Sequence, residues 1–216
     1  MNSAGAATEN PVGQATTEVR PAWGLWGGSA ITLGGALLFV ATLIEVPLWQ
    51  EETLNPGLLA VFTVLFLGST VAHAVAMIPL SGGRTGSDGI VGRSLVGRVA
   101  LLGFGAVFLT MQTVYYTVTY ALPAADDYSG VLALTTVLGV VQLALLLIGS
   151  LVIIRAGVAT GAARWAFLAL TVVAIITGAT ANTTESTEIA TVALLCSTGA
   201  QIVVGLVLAT TRNRAR

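Results

Sequence analysis

The chain has 216 residues, 55% of them hydrophobic and only 9% charged, with a formal net charge of −1. A soluble domain carries about 25% charged residues, so this sequence cannot clothe a water-facing surface and lipid is its expected solvent. The charge balance leaves no basic face for nucleic acid, and one cysteine with one histidine excludes an internal disulfide, a thiolate cluster, bis-histidine haem and His-rich metal sites.

Residues 1–22 are rich in Ala, Thr, Gly and Glu, without a basic n-region or a small-residue cleavage site after the first apolar run. They are expected to form a disordered cytoplasmic tail rather than a cleaved signal peptide. Six apolar stretches follow. Each is near the roughly 20 residues that cross the hydrocarbon as a helix, giving a membrane domain over residues 23–211.

The first stretch covers about residues 26–49. Ala30 and Gly34 stand at small-xxx-small spacing, with Gly35 and Ala36 beside them. Such positions let helices approach closely, and the expected contact is with a neighbouring helix. Glu45 precedes Val46-Pro47 near the far end. Its side chain either reaches the headgroups or forms a cation or proton site at the mouth of a cavity. Trp23, Trp26 and Trp49 are expected at headgroup depth. A turn with Glu51 and Glu52 leads to the second stretch, residues 57–80, where Thr63, Thr70 and Met77 are heptad-spaced and His73 lies beside them. His73 is expected to be a neutral imidazole hydrogen-bonded to a neighbouring helix. It sits toward the opposite membrane face from Glu45, so the two should not pair directly.

Residues 81–97 are Gly- and Ser-rich and hold Arg84 and Arg93, with Arg98 next in sequence. The expectation is a flexible linker at the headgroups. In the third stretch, residues 99–122, Gln112, Tyr116 and Thr119 recur on one helical face, and Gly103 and Gly105 offer close packing. Asp126 and Asp127 mark the next turn. The fourth stretch, residues 130–154, carries Thr135 and Gln142 on one face and Gly149 with Ser150 as packing positions. Its opening nine residues repeat residues 57–65 at six positions, as a duplicated hairpin would.

Arg155 and Arg164 flank the following connection, and Trp165 opens the short fifth stretch, residues 165–181. Glu185 and Glu188 occupy the last turn. The sixth stretch, residues 189–210, aligns Thr198, Gln201 and Gly205 on one face, adds Gly199, and contains Cys196, expected as a small packed thiol. Residues 212–216 form a basic tail.

All nine basic residues are arginines, and they fall in alternate connections and at the two ends, while the other connections hold only acids. Arginine retention fixes orientation, so the fold class is an all-α polytopic membrane protein. Its six transmembrane helices form an antiparallel bundle, with both termini in the cytoplasm. Low Lys with abundant Ala, Gly, Val and Thr points to a prokaryotic plasma membrane.

Gln112, Gln142 and Gln201 fall near mid-span, and an amide in hydrocarbon needs a partner, so these should face the bundle interior. With Glu45, His73 and Tyr116 they are the candidate polar interior. Glu51, Glu52, Asp126, Asp127, Glu185 and Glu188 could attract cations outside if their turns converge. No catalytic triad, paired intraspan carboxylates, metal-ligand cluster or cofactor motif is present. The expected function is a non-catalytic accessory or scaffolding subunit packing on a membrane partner or on a second copy. The alternative is a small permease or channel for a cation, a proton or a small solute. A polar interior open to one side would favour the alternative.

Overall fold

The computed structural model describes residues 18–19, 21–50, 55–82, 89–122 and 129–214, with backbone alone at 18–19, 49–50 and 213–214. Most of the N-terminal tail, Glu51, Glu52, Arg84, Asp126, Asp127 and the last two residues lie outside the described residues, and with them the expected convergence of the acidic turns.

Six helices are long and apolar enough to cross a membrane. They are α1 (Ser29–Gln50), α2 (Pro56–Gly82), α3 (Leu95–Tyr116), α4 (Ser129–Ala156), α5 (Ala162–Thr183) and α6 (Thr187–Thr210). A π-helical turn, Gly24–Gly28, leads into α1, and another, Thr117–Ala121, extends α3. Five spans contain the stretch expected from hydropathy, and the third, ending at Ala121, falls one residue short of its expected end while starting four residues earlier. The fifth remains the shortest span at 22 residues, although Ala162–Arg164 and Asn182–Thr183 lengthen it beyond the expected stretch.

Local chemistry explains the ends. Asn55 Oδ1 accepts from the backbone N–H groups of Gly57 and Leu58 at 3.0 and 3.3 Å, and Pro56 needs no hydrogen bond at the first helical position. Ser94 caps α3 through Gly97 N–H, and Ser186 caps α6 through Ile189 N–H. Gly157 and Gly161 take φ values of 63° and 58° in the α4–α5 turn, where a Cβ would be strained. Arg164 Nε donates to the Ile154 carbonyl near the end of α4, 3.1 Å away, a favourable place for a cation. Within the spans, Thr42, Thr63, Thr70, Thr171 and others donate to the carbonyl four residues earlier. Their hydroxyls are satisfied without water.

Each helix packs on its neighbours in sequence, and α6 closes the circle on α1. Two ends can be told apart by contact. At one, Gly24 meets Leu208, Gly27 meets Leu80, and Gly92 meets Val158 and Ala156. This end gathers the start of α1, the end of α6 and the arginine-bearing connections. At the other, Glu45, Phe62 and Tyr120 come together. Glu18–Val19 pairs with Asn213–Arg214 in a two-residue antiparallel ladder, so the segments just before the first span and just after the last meet at the arginine end.

The large core sits toward the arginine end. It includes Trp23, Met77, Leu80, Leu101, Ile153, Phe167 and Leu208. A smaller cluster around Ala41, Leu48, Phe62 and Phe66 holds α1 and α2 together at the far end. Three expectations change here. Trp23 is 2% exposed and fills core instead of anchoring at headgroups, while Trp26 stays outside. Residues 89–94 are no loose linker: Ile90 N–H bonds the Leu80 carbonyl and the Ile90 and Val91 side chains are fully buried. Two branched apolar residues inside a Gly-rich loop gain more from the core than from the interface. Cys196 is exposed on the bundle surface, not packed within it, because it shares the outward face of α6 with Val192, Val203 and Leu206.

Candidate functional site

Ala30, Gly34, Gly149 and Gly205 are the small residues expected to bring helices together, and each has an internal place. Ala30 is half-buried and packs against the main core. A Cβ on Gly149 would lie 3.1 Å from Leu101 of α3, and one on Gly205 would lie 2.5 Å from the Thr32 nitrogen of α1. The α1–α6 crossing is therefore a backbone-to-backbone contact. Gly34 has a different neighbour. A Cβ there would stand 2.6 Å from His73 Nδ1, and one on Gly35 would stand 3.2 Å from Gln201 Cβ. Two consecutive glycines strip α1 bare at this level. The imidazole of α2 lies against Gly34, and Ile202 and the Cβ of Gln201 on α6 lie against Gly35.

His73 is 5% exposed. Its Nδ1 is 2.9 Å from the Ser69 carbonyl. A carbonyl only accepts, so Nδ1 carries the hydrogen and, in the neutral ring, Nε2 presents a lone pair. Ser69 Oγ donates to the Gly34 carbonyl at 2.7 Å, tying α2 to α1 beside the ring. Phe108 of α3 covers the imidazole with ring centroids 5.2 Å apart. The Gln201 side chain of α6 hydrogen-bonds to His73, so the imidazole bridges α2 and α6. Gln142 Oε1 on α4 is buried without a hydrogen-bond partner, whereas buried acceptors are normally paired.

The second polar cluster lies at the far end. Glu45 is 6% exposed, and both Tyr115 and Tyr120 donate to its Oε1, at 2.5 and 2.7 Å. It does not reach the headgroups. Pro47 is accommodated within α1, so the helix carries Glu45 onto the α3 tyrosines. Phe62 and Phe66 of α2 stack on one another and against these tyrosines. Tyr116 instead shares a hydrogen bond with Thr63 Oγ1 at 2.8 Å and joins α3 to α2. About eleven residues of helix, roughly 16 Å of rise, separate Gly34 from Glu45. The two clusters are distinct, as the opposite-face placement of Glu45 and His73 required.

The polar candidates thus separate into groups. His73 and Gln201 meet; Glu45 stands with Tyr115 and Tyr120; Tyr116 stands with Thr63; Gln112 is half-exposed on α3. Glu185 and Glu188 are exposed on the last turn, and Glu188 lies in the first turn of α6, where an acid favours the helix. Sequence reasoning passed over Ser69 and Phe108. A serine four residues before an intramembrane histidine was the available signal for the first. Nothing in the spacing of Phe108 set it apart from a core residue.

The bundle is packed unevenly around these groups. Every described buried side chain of α4 lies between Leu146 and Ile153, and those of α5 lie between Ala163 and Thr171. Beyond Thr171, and on α4 before Leu146, none of the described side chains is buried. Gly178, two turns on from Thr171 on the same face, would put a Cβ into open space. Ser150 and Thr171 hydroxyls, 3.2 Å apart, join α4 to α5 where their buried residues end, and Gln142, Gly139 and Thr135, farther along α4, are half-exposed. No protein-family model matches the chain, and neither the curated proteins nor the solved structures compared with it give a match.

Proposed function

We propose that the protein is a small permease or channel of a prokaryotic plasma membrane, passing a proton, a cation or a small polar solute. The arginine end faces the cytoplasm, by the positive-inside rule. The carrying observation is the row of polar groups that the fold keeps in its interior. The Glu45 carboxyl lies at one depth and the hydrogen-bonded His73–Gln201 pair at another, and Gln142 Oε1 is buried with no hydrogen-bond partner. Groups of this kind are expensive in lipid and mark pathways. Glu45 supports the reading further. All described arginines stand at the other end, so this buried carboxyl needs a proton or a guest cation as its counter-charge. The small-residue faces that favoured a docking subunit are spent on internal contacts at Gly34, Gly149 and Gly205.

A second reading keeps the non-catalytic subunit. Its support is the half of α4 nearest the Glu45 end, where Leu132, Leu134, Val137 and Val140 are all exposed and could take a membrane partner or a second copy.

Reconstituted vesicles separate the two. Glu45→Gln and His73→Ala should both yield folded, membrane-inserted protein, and both should lower ion or solute flux by about tenfold or more, as loss of an interaction with a charged group implies. Wild-type vesicles no leakier than empty ones would leave the subunit reading standing.

A further inference from the structure

The two tyrosines that reach Glu45 stand five positions apart in the chain. On a regular α-helix of 3.6 residues per turn they would point about 140° away from one another, and only one could face α1. The π-helical turn Thr117–Ala121 removes the mismatch. Its hydrogen bonds span five residues instead of four, as from Leu122 N–H to the Thr117 carbonyl at 2.9 Å, so Tyr120 comes round onto the side of Tyr115. Both phenols donate to the same atom, Glu45 Oε1, and neither takes Oε2. Helices α1 and α3 are not neighbours in the circle, so these two bonds join them past Phe62 and Phe66 of α2. Single π-helical turns are rare and are frequent at functional sites; the carboxyl is what this one serves.

The surroundings suit a very small ligand. Phe62 and Phe66 pack on the tyrosine rings at centroid distances of 5.0 and 5.9 Å. A divalent cation would need about six or more oxygen ligands, where this cluster brings one carboxyl and two phenols whose hydrogens point at it. The titratable groups around Glu45 are few among the described residues. On α3 they are Tyr115, Tyr120 and Tyr116, the last turned to Thr63. Helix α2 presents Phe62 and Phe66 and no titratable group, α1 adds none of its own, and α6 carries Glu188, exposed in its first turn.

We infer that Glu45 Oε2 binds a single proton from the water at the far end of the bundle, and that Tyr115 and Tyr120 convert its arrival into a change in the turn of α3. While Glu45 is a carboxylate, the phenols make charge-assisted bonds, roughly twice as strong as bonds between neutral groups, and these hold the turn wide. A proton on Oε2 leaves a neutral acid, and Oε1 becomes an ordinary carbonyl acceptor. The bonds weaken, the turn relaxes into the α-helical ladder, and Tyr120 swings off α1. The phenols keep their hydrogens throughout, so one proton is all that the site gains. This goes beyond the permease reading and does not depend on it, since the same site would work in a protein that conducts nothing.

The test uses the full chain in lipid vesicles, with Cys196→Ser and spin labels on Leu43→Cys and Leu122→Cys, both at exposed positions. The label pair reports the separation of α1 from the end of α3. On acidification the separation should shift to a second value, following a one-proton transition. Glu45→Gln, a neutral acceptor of the same shape, should hold that second value at every pH. Tyr120→Phe keeps the carboxyl but loses one of its bonds. It should still take up the proton, seen as the carboxylic-acid carbonyl band in infrared difference spectra, and should lose the shift in separation. A wild-type separation that does not change with pH overturns the proposal, as does the same acid shift in Glu45→Gln. A full shift in Tyr120→Phe overturns the role of the tyrosines. A shift produced by sodium at constant alkaline pH would make the ligand a metal cation and overturn the proton.

Discussion

The His73 ring is positioned by groups that are not themselves ionisable. Gly34 clears its space, Ser69 fixes its tautomer, and Phe108 covers its face. A Gly34→Ala substitution drives a methyl against an imidazole already bonded to the helix behind it. Overpacking of this sort costs about 1–3 kcal/mol. Combined with His73→Ala, the same substitution should cost close to nothing, since the colliding ring is gone, and the difference is a coupling energy of the kind contacting residues show. Thermal unfolding of the four proteins in one detergent measures it; additive losses would show that the ring does not lie on Gly34. Sequence spacing marked both residues separately, Gly34 for helix packing and His73 as an ionisable group. Their contact was not legible, because spacing along each helix gives a face but not the partner across it.

Among the elements, α1 is the most constrained. It packs on α2 through Gly34, and its Thr32, with Gly28 of the π-helical turn before it, meets Gly205 of α6, where backbones come together with no side chain between them. Lipid offers no hydrophobic drive for this association, so close approach and the dispersion it allows must supply it. Gly205→Ala should therefore separate the two helices and destabilise the protein by about 1–3 kcal/mol. Gly199→Ala on the same helix should lie within about 0.5 kcal/mol of wild type. Equal effects would refute the crossing. The sequence aligned Gly205 with Thr198 and Gln201 and so indicated a shared face. It treated Gly199 as an equal packing position, and the difference arises only because Gly199 turns outward with Cys196 and Val203.

At the scale of the whole molecule, the larger core lies at the arginine end, where Trp23, Phe104, Phe108 and Phe167 converge. A smaller one at the far end gathers Ala41, Leu48, Phe62 and Phe66, while the far halves of α4 and α5 bury no described side chain. The proposed orientation can be checked by replacing Cys196 with Ser and placing single cysteines at Glu185 and Thr160, both exposed and in connections of opposite type. A membrane-impermeant maleimide added to intact cells should label the first and spare the second; the reverse would invert the map.

The six spans were determined by the sequence alone, since each apolar run must satisfy its backbone internally and a helix is the only single-segment way to do so. The expected sidedness came from the same source, because arginine placement is a linear feature of the chain. Only the tertiary structure decided that Glu45 turns to Tyr115 and Tyr120 rather than to headgroups, that Ile90 and Val91 fold into the core, and that His73 and Gln201 meet over bare glycine. The physical reason is that lipid and protein interior are equally apolar. Hydropathy therefore cannot tell an outward face from an inward one, and the choice falls to shape and to unpaired polar atoms, which exist only once the helices are side by side.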